Sequence, residues 1–217
     1  LKLPNYILNL PLLGCINIHV SLLPRWRGAS PIEHSLLNGD SKTGVTIFKL
    51  TEEMDAGPII SYKSIKLDKD INKDNLVVTL NLLGKKLLKS TLPNIINKKI
   101  DYQDQNLNLV TYAPKISNDL KKLDFNKKIN IIQNKIRAFS AKPSAWFLYN
   151  NERIKIIKSY SVKGDFKSSE IVNNKFHIGC QDGKICPLII QREGRKSMDL
   201  NSFLRGFQFK IGDKIYG

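Results

Sequence analysis

The chain has 217 residues, enough for one large domain or two small ones, and its 41% hydrophobic and 25% charged residues are an ordinary globular balance. No apolar run approaches bilayer length, and Cys15, Cys180 and Cys186 are too sparse and too odd in number for a disulfide framework or a zinc site, which points to a reducing, cytoplasmic setting with no metal and no membrane. The net charge of +16 is uneven, +5 over residues 1–118 and +11 over 119–217, so the second half suits a polyanionic partner, although a chain this rich in Lys, Asn and Ile also fits the bias of an AT-rich genome.

The opening Leu1-Lys2-Leu3-Pro4 has none of the marks of a signal peptide and lacks an initiator Met, which predicts a chain cut from inside a longer frame. Residues 15–20 read as a buried strand with Asn17 and His19 set into it, followed by a loop from Ser21 to Gly28. A helix is well marked after it: Ser30 as N-cap, Pro31 at the first helical position, Glu33 completing a capping box, and Asn38-Gly39 as the stop. Residues 45–50 and 59–65 read as strands around a polar turn over 52–58. Asp74 opens a long amphipathic helix with Leu76, Leu80, Leu83 and Leu87 on one stripe, ending near Pro93 or Asn97. This first part, residues 1–100, is α/β in character.

Residues 101–118 are polar without helical period and read as a linker. In residues 119–217, Ile129, Ile132 and Ile136 mark one helix. Turn signals then recur at Asn150-Asn151, Lys163-Gly164, Asp182-Gly183 and Glu193-Gly194, between β-rich runs such as 153–160 and 185–191. That pattern predicts a small β-barrel or sandwich. No internal repeat is visible.

Asn17 and His19 are two residues apart on the first strand, so both side chains share a face. A polar pair in an apolar strand is costly unless it is bonded or used. By themselves the two also fit a core histidine bonded to a nearby carbonyl, as Asp55 fits a turn carboxylate. His34 and His177 read as packing or surface residues.

The run Asn17-Ile18-His19-Val20-Ser21-Leu22-Leu23-Pro24 resembles the signature of the 10-formyltetrahydrofolate formyltransferases. Its continuation, Arg25-Trp26-Arg27-Gly28-Ala29, is similar to the segment that methionyl-tRNA formyltransferases carry there. Gly44-Val45-Thr46-Ile47 and Met54-Asp55-Ala56-Gly57-Pro58 resemble the family's second signature. The likeness continues through 111–115, 136–139 and 212–214. Val20 departs from the pattern, standing where relatives usually carry Gly, Pro or Ala, and a β-branched residue there restricts the loop backbone.

The resemblance implies the later part of a Rossmann-like formyltransferase domain followed by a small OB-like β-barrel domain that contacts tRNA. It implies a catalytic trio of Asn17, His19 and Asp55, with Ser21, Leu22, Leu23 and Pro24 in the folate pocket and Arg25 and Arg27 as possible tRNA contacts. The implied co-substrate is 10-formyltetrahydrofolate and the implied partner is initiator methionyl-tRNA, bound by a monomer. Asn17, and His19 if protonated, would bond the formyl oxygen as negative charge grows on it; Asp55 would orient His19 or take the amine proton. In relatives three further strand–helix units, about 90 residues, come before the strand holding Asn17. Without them the 217 residues are expected to be inactive alone. Rival readings are a formyltransferase for an amino sugar or glycinamide ribonucleotide, a formyltetrahydrofolate hydrolase, and a non-catalytic RNA-binding fragment.

Overall fold

The computed structural model describes residues 3–140 and 144–216; Leu1 and Lys2 of the opening and the closing Gly217 lie outside them. Contacts divide the chain into two compact units, one of residues 1–35, 40–71 and 75–115, the other of 36–39, 72–74 and 116–217.

The first unit holds a three-stranded antiparallel sheet in the order β1-β2-β3, with β1 at Ile16–His19, β2 at Lys42–Lys49 and β3 at Ile59–Lys66. A short helix α1, Asn5–Leu8, precedes it, and α2, Pro31–Leu37, joins β1 to β2. Residues 43–48 of β2 are buried throughout, because a central strand is covered on both faces. Helix α3, Lys73–Ile96, buries Leu76, Leu80, Gly84, Thr91 and Ile95, a stripe at helical spacing. Gly84 lets it approach the sheet: a Cβ there would lie 3.3 Å from Ile18 and 3.6 Å from Val45. The helix runs through Pro93 into its last turn.

The 101–118 stretch differs from the expected linker. Gln103 exchanges two backbone hydrogen bonds with Ile59, at 2.8 and 2.9 Å. Arg27 N–H donates to the Thr111 carbonyl at 2.9 Å, and Ala113 N–H donates to the Arg27 carbonyl at 2.7 Å. Residues 103–113 are therefore a strap across the first unit. Its backbone bonds reach residues distant in sequence, which no local period reveals.

In the second unit β4 (Ala145–Tyr149), β5 (Glu152–Lys163), β7 (Gly183–Arg192) and β6 (Ile178–Cys180) pair antiparallel in the order β4-β5-β7-β6, and β8 (Met198–Asp199) pairs with β7. Asn150 and Asn151, both with positive φ (48° and 62°), form the β4–β5 hairpin turn. Helix α4, Ile129–Ala138, buries Ile129, Ile132 and Ile136 and takes its N-terminal cap from afar: Asp182 Oδ1 accepts the Ile129 N–H at 2.7 Å. The core is aromatic, with Phe125, Phe147, Phe176 and Phe203 fully buried. Helix α5, Leu200–Gly206, is capped by Asp199, whose side chain accepts the Ser202 N–H; its seven residues are too few for periodicity to have marked it.

Candidate active site

Strand β1 delivers Asn17 opposite Phe48 and His19 opposite Thr46. The chain then leaves the sheet as the loop 20–30, which three groups hold in place. Thr46 Oγ1, fully buried on β2, donates to the Ser21 carbonyl at 2.7 Å and accepts the Leu23 N–H at 3.1 Å. Ser21 Oγ donates to the Arg25 carbonyl at 2.6 Å. Thr111 Oγ1 accepts the Trp26 N–H at 2.9 Å, which holds a residue whose φ of 64° is unfavourable for a bulky side chain. Val20 keeps a negative φ, so the loop accommodates it without left-handed strain.

Thr46→Val keeps the shape and removes the hydroxyl, leaving a buried carbonyl and a buried N–H unpaired. It is expected to destabilise the protein by about 2 kcal/mol, read from urea unfolding.

His19 is 6% exposed, and its Nε2 lies 2.8 Å from the Trp26 carbonyl. A carbonyl can only accept, so Nε2 carries the proton. Nδ1 is then the nitrogen free to gain or lose one, and it faces Asp55 Oδ2 at 3.6 Å. Burial pushes the His19 pKa below its ordinary value, against the Asp55 carboxylate and the Trp26 carbonyl, which both favour the charged form. His19 is thus both the carbonyl-bonded core histidine and a titratable group. At neutral pH it therefore rests neutral, with Nδ1 able to take up a proton.

Asp55 sits at the tip of the β2–β3 turn with φ 52°. Its Oδ2 accepts the Gly28 N–H at 2.7 Å, so the same loop that bonds His19 also bonds Asp55. The Asn17 side-chain amide makes no hydrogen bond among the described residues, and it is half-buried one step up the same strand face. A neutral imidazole nitrogen, a carboxylate beside it and an unpaired amide can together move a proton and bind a growing negative charge on oxygen.

Stability carries the sign of the lowered histidine. Below about pH 6.5 the unfolded chain takes up a proton that folded His19 refuses, so stability is full above that value and falls on acidification towards the lower folded pKa. His177, also lowered by burial and by Lys184 and Lys175, acts in the same direction. Urea unfolding between pH 7.5 and 5.5 is expected to show this loss, and His19→Gln to reduce it.

Leu22, Leu23 and Pro24 line a cavity of about 920 Å³, with Ile59, Tyr62 and Gln103 among its other walls. Neither Ser21 nor any of the expected trio lines it; Ser21 is 1% exposed and holds the loop instead. Arg25 pairs bidentately with Asp40 at 2.6 and 3.0 Å and lies 4.3 Å above the Trp26 ring, leaving its side chain 39% exposed. Trp26 also donates its indole N–H to Asp40 at 2.7 Å and packs against His34. Arg27, expected as a tRNA contact, is 4% exposed and gives Nε and Nη2 to Gln105 Oε1 at 3.0 and 2.7 Å. An arginine in a loop reads as a surface cation, and only the strap over it shows otherwise. Among the described residues no cluster of His, Cys, Asp and Glu is arranged to hold a metal ion, and no helix is long and apolar enough to cross a membrane.

The family described as formyl transferase matches residues 1–92, and its C-terminal domain matches 115–208. The methionyl-tRNA formyltransferase of Ehrlichia canis is 39% identical over 211 residues, covering 95% of this chain and 68% of that protein. That of Wolbachia pipientis subsp. Culex pipiens is 39% identical over 215 residues, covering 99% and 70%. An N-formyltransferase from Helicobacter canadensis, solved with folinic acid and dTDP-3-aminofucose, superposes with a TM-score of 0.65 at 26% identity, covering 82% of this chain and 65% of that one. The chain therefore spans about two thirds of the length of each of these proteins. Matched along almost its whole length at this identity, the chain belongs to the methionyl-tRNA formyltransferase family.

Proposed function

We propose that the protein moves a formyl group from 10-formyltetrahydrofolate to the α-amino group of methionyl-tRNA, for initiation of protein synthesis. The observation that carries the reading is the junction of His19 Nδ1 with Asp55, 3.6 Å apart, beside the unpaired amide of Asn17. Asn17 donates to the formyl oxygen as charge develops there. His19 Nδ1 takes the proton that the amine sheds as its new bond to the formyl carbon forms. It returns that proton to the departing nitrogen as the old bond breaks. Asp55 stabilises the imidazolium in between, which is why a depressed resting pKa and a facing carboxylate belong together.

The folate co-substrate fits the cavity walled by Leu22, Leu23 and Pro24, whose volume lies in the range of small-molecule sites. The related Helicobacter protein was solved with a folate derivative. Ser21 acts there through the loop backbone. The first unit is taken as the later part of a Rossmann-like catalytic domain. The second is taken as an OB-like barrel domain that meets the tRNA with exposed cations such as Arg153, Lys158 and Lys163. Arg25 stays a candidate tRNA contact; Arg27 does not.

Formyl transfer to methionyl-tRNA by the full-length protein tests the reading. Transfer to a dTDP-linked amino sugar in its place would move the acceptor to the chemistry of the Helicobacter relative. Affinity for tRNA is expected to fall steeply with salt, because each phosphate contact releases bound counterions. A salt-sensitive affinity with no transfer would favour a non-catalytic RNA-binding protein.

A further inference from the structure

Gln105 lies in the strap, outside every motif that marks the site, and is 7% exposed. Its amide makes four hydrogen bonds. Nε2 donates to the Asp55 carbonyl at 2.9 Å and to the Gly57 carbonyl at 2.8 Å; Oε1 accepts Arg27 Nε at 3.0 Å and Nη2 at 2.7 Å. That uses both donors and both lone pairs of the amide. The orientation is forced, because the carbonyls can only accept and the guanidinium can only donate. Glu would serve the arginine alone, and a cationic side chain the carbonyls alone.

Two of these bonds fall on the backbone of the Asp55 turn and two on the side chain of Arg27, whose neighbours in the loop set the distance between His19 and Asp55. Arg27 stands between Trp26, whose carbonyl holds His19 Nε2, and Gly28, whose N–H holds Asp55 Oδ2. On the other side Gln105 grips Asp55 itself and the residue two after it. Asp55 is a non-glycine residue at φ 52°, a left-handed conformation that persists only when its surroundings fix it.

We propose that Gln105 is a positioning residue for the reaction: through one amide it locks the Asp55 turn to the Arg27 segment and so sets the placement of the Asp55 carboxylate against His19. It touches no reacting atom. The assignment rests on the proposed formyl transfer only for the kinetic half of its test.

The test is Gln105→Glu in the full-length protein. The variant keeps the Arg27 clamp and replaces both donors with an acceptor that the two carbonyls repel. Two readouts are taken. Amide hydrogen exchange of Gly28, whose N–H bonds Asp55, is expected to accelerate about tenfold, while the Val45 and Ile47 amides inside the sheet stay unchanged. The turnover number is expected to fall about tenfold or more at an unchanged KM for methionyl-tRNA, since a misplaced group loses transition-state rather than ground-state interactions. Should Gln105→Glu not fold, Arg27→Met with Gln105→Met, compared with Arg27→Met alone, isolates the two lost donors by the same exchange measurement. Gly28 exchange unchanged in a folded variant, or accelerated no more than Val45 and Ile47, overturns the proposal. A parent protein that transfers no formyl group defeats the proposed function instead, and amide exchange still decides the role of Gln105.

Discussion

His19→Gln is expected to lower the turnover number of formyl transfer by about 10³, the range of a lost acid–base group. The choice of Gln matters. Its side-chain amide can still donate to the Trp26 carbonyl, which keeps the loop bond made by His19 Nε2, while the titratable Nδ1 is gone. The acid limb of the rate profile, which marks protonation of a histidine held below its ordinary pKa, is expected to vanish with it. Asp55→Asn is the companion change. An Asn oxygen can still accept the Gly28 N–H, so the loop stays bonded while the charge facing the imidazole disappears. A loss of about 10² is expected, and Asn17→Ala, which removes the donor to the oxyanion, falls in the same range. Because the three act on one proton and one developing charge, the double variant His19→Gln/Asp55→Asn is expected to lose little more than His19→Gln alone. Single-turnover formylation of methionyl-tRNA measures all of these. A His19→Gln protein within tenfold of the parent would remove His19 from the mechanism.

Gly57→Ala is expected to be the most damaging change of a single methyl group. A Cβ at this position would lie 1.8 Å from the Lys49 carbonyl oxygen and 3.0 Å from its carbon, so backbone must move. That backbone is committed on all sides. Lys49 N–H bonds the Pro58 carbonyl at 3.0 Å, and the Gly57 carbonyl takes a hydrogen from Gln105. Opening the turn breaks these bonds; leaving it closed keeps the clash. Destabilisation of about 3 kcal/mol or more is expected in urea unfolding, at the high end for point changes. Any folded fraction is expected to lose about 10² in transfer, because Asp55, two residues away, is displaced by an amount that catalysis does not tolerate. Gly57→Ala with parent-like stability and rate would show that the turn tolerates the methyl group after all.

The sequence by itself determined the local elements. Pro31 and Asn38-Gly39 bound α2, the Leu76 and Leu80 spacing marked α3, the paired Asn150-Asn151 marked a turn, and the polar pair in β1 stood out because polar groups in a strand interior need a reason. Each of these signals is local, a cap, a period or a turn residue acting within a few positions. Only the tertiary structure decided what the polar residues do. Whether an arginine is a surface cation or a buried donor, whether a histidine rests charged or neutral, and whether a stretch without period is a linker or a strap depend on partners far along the chain. Arg27 is buried because residues 78 positions later close over it. His19 is neutral because burial outweighs its carboxylate neighbour. Gln105 had no signal at all, since a lone glutamine in a polar run looks like any solvated residue. Its role exists only where the Asp55 turn and the Arg27 loop come within reach of one amide, a meeting of three segments that local patterning cannot encode.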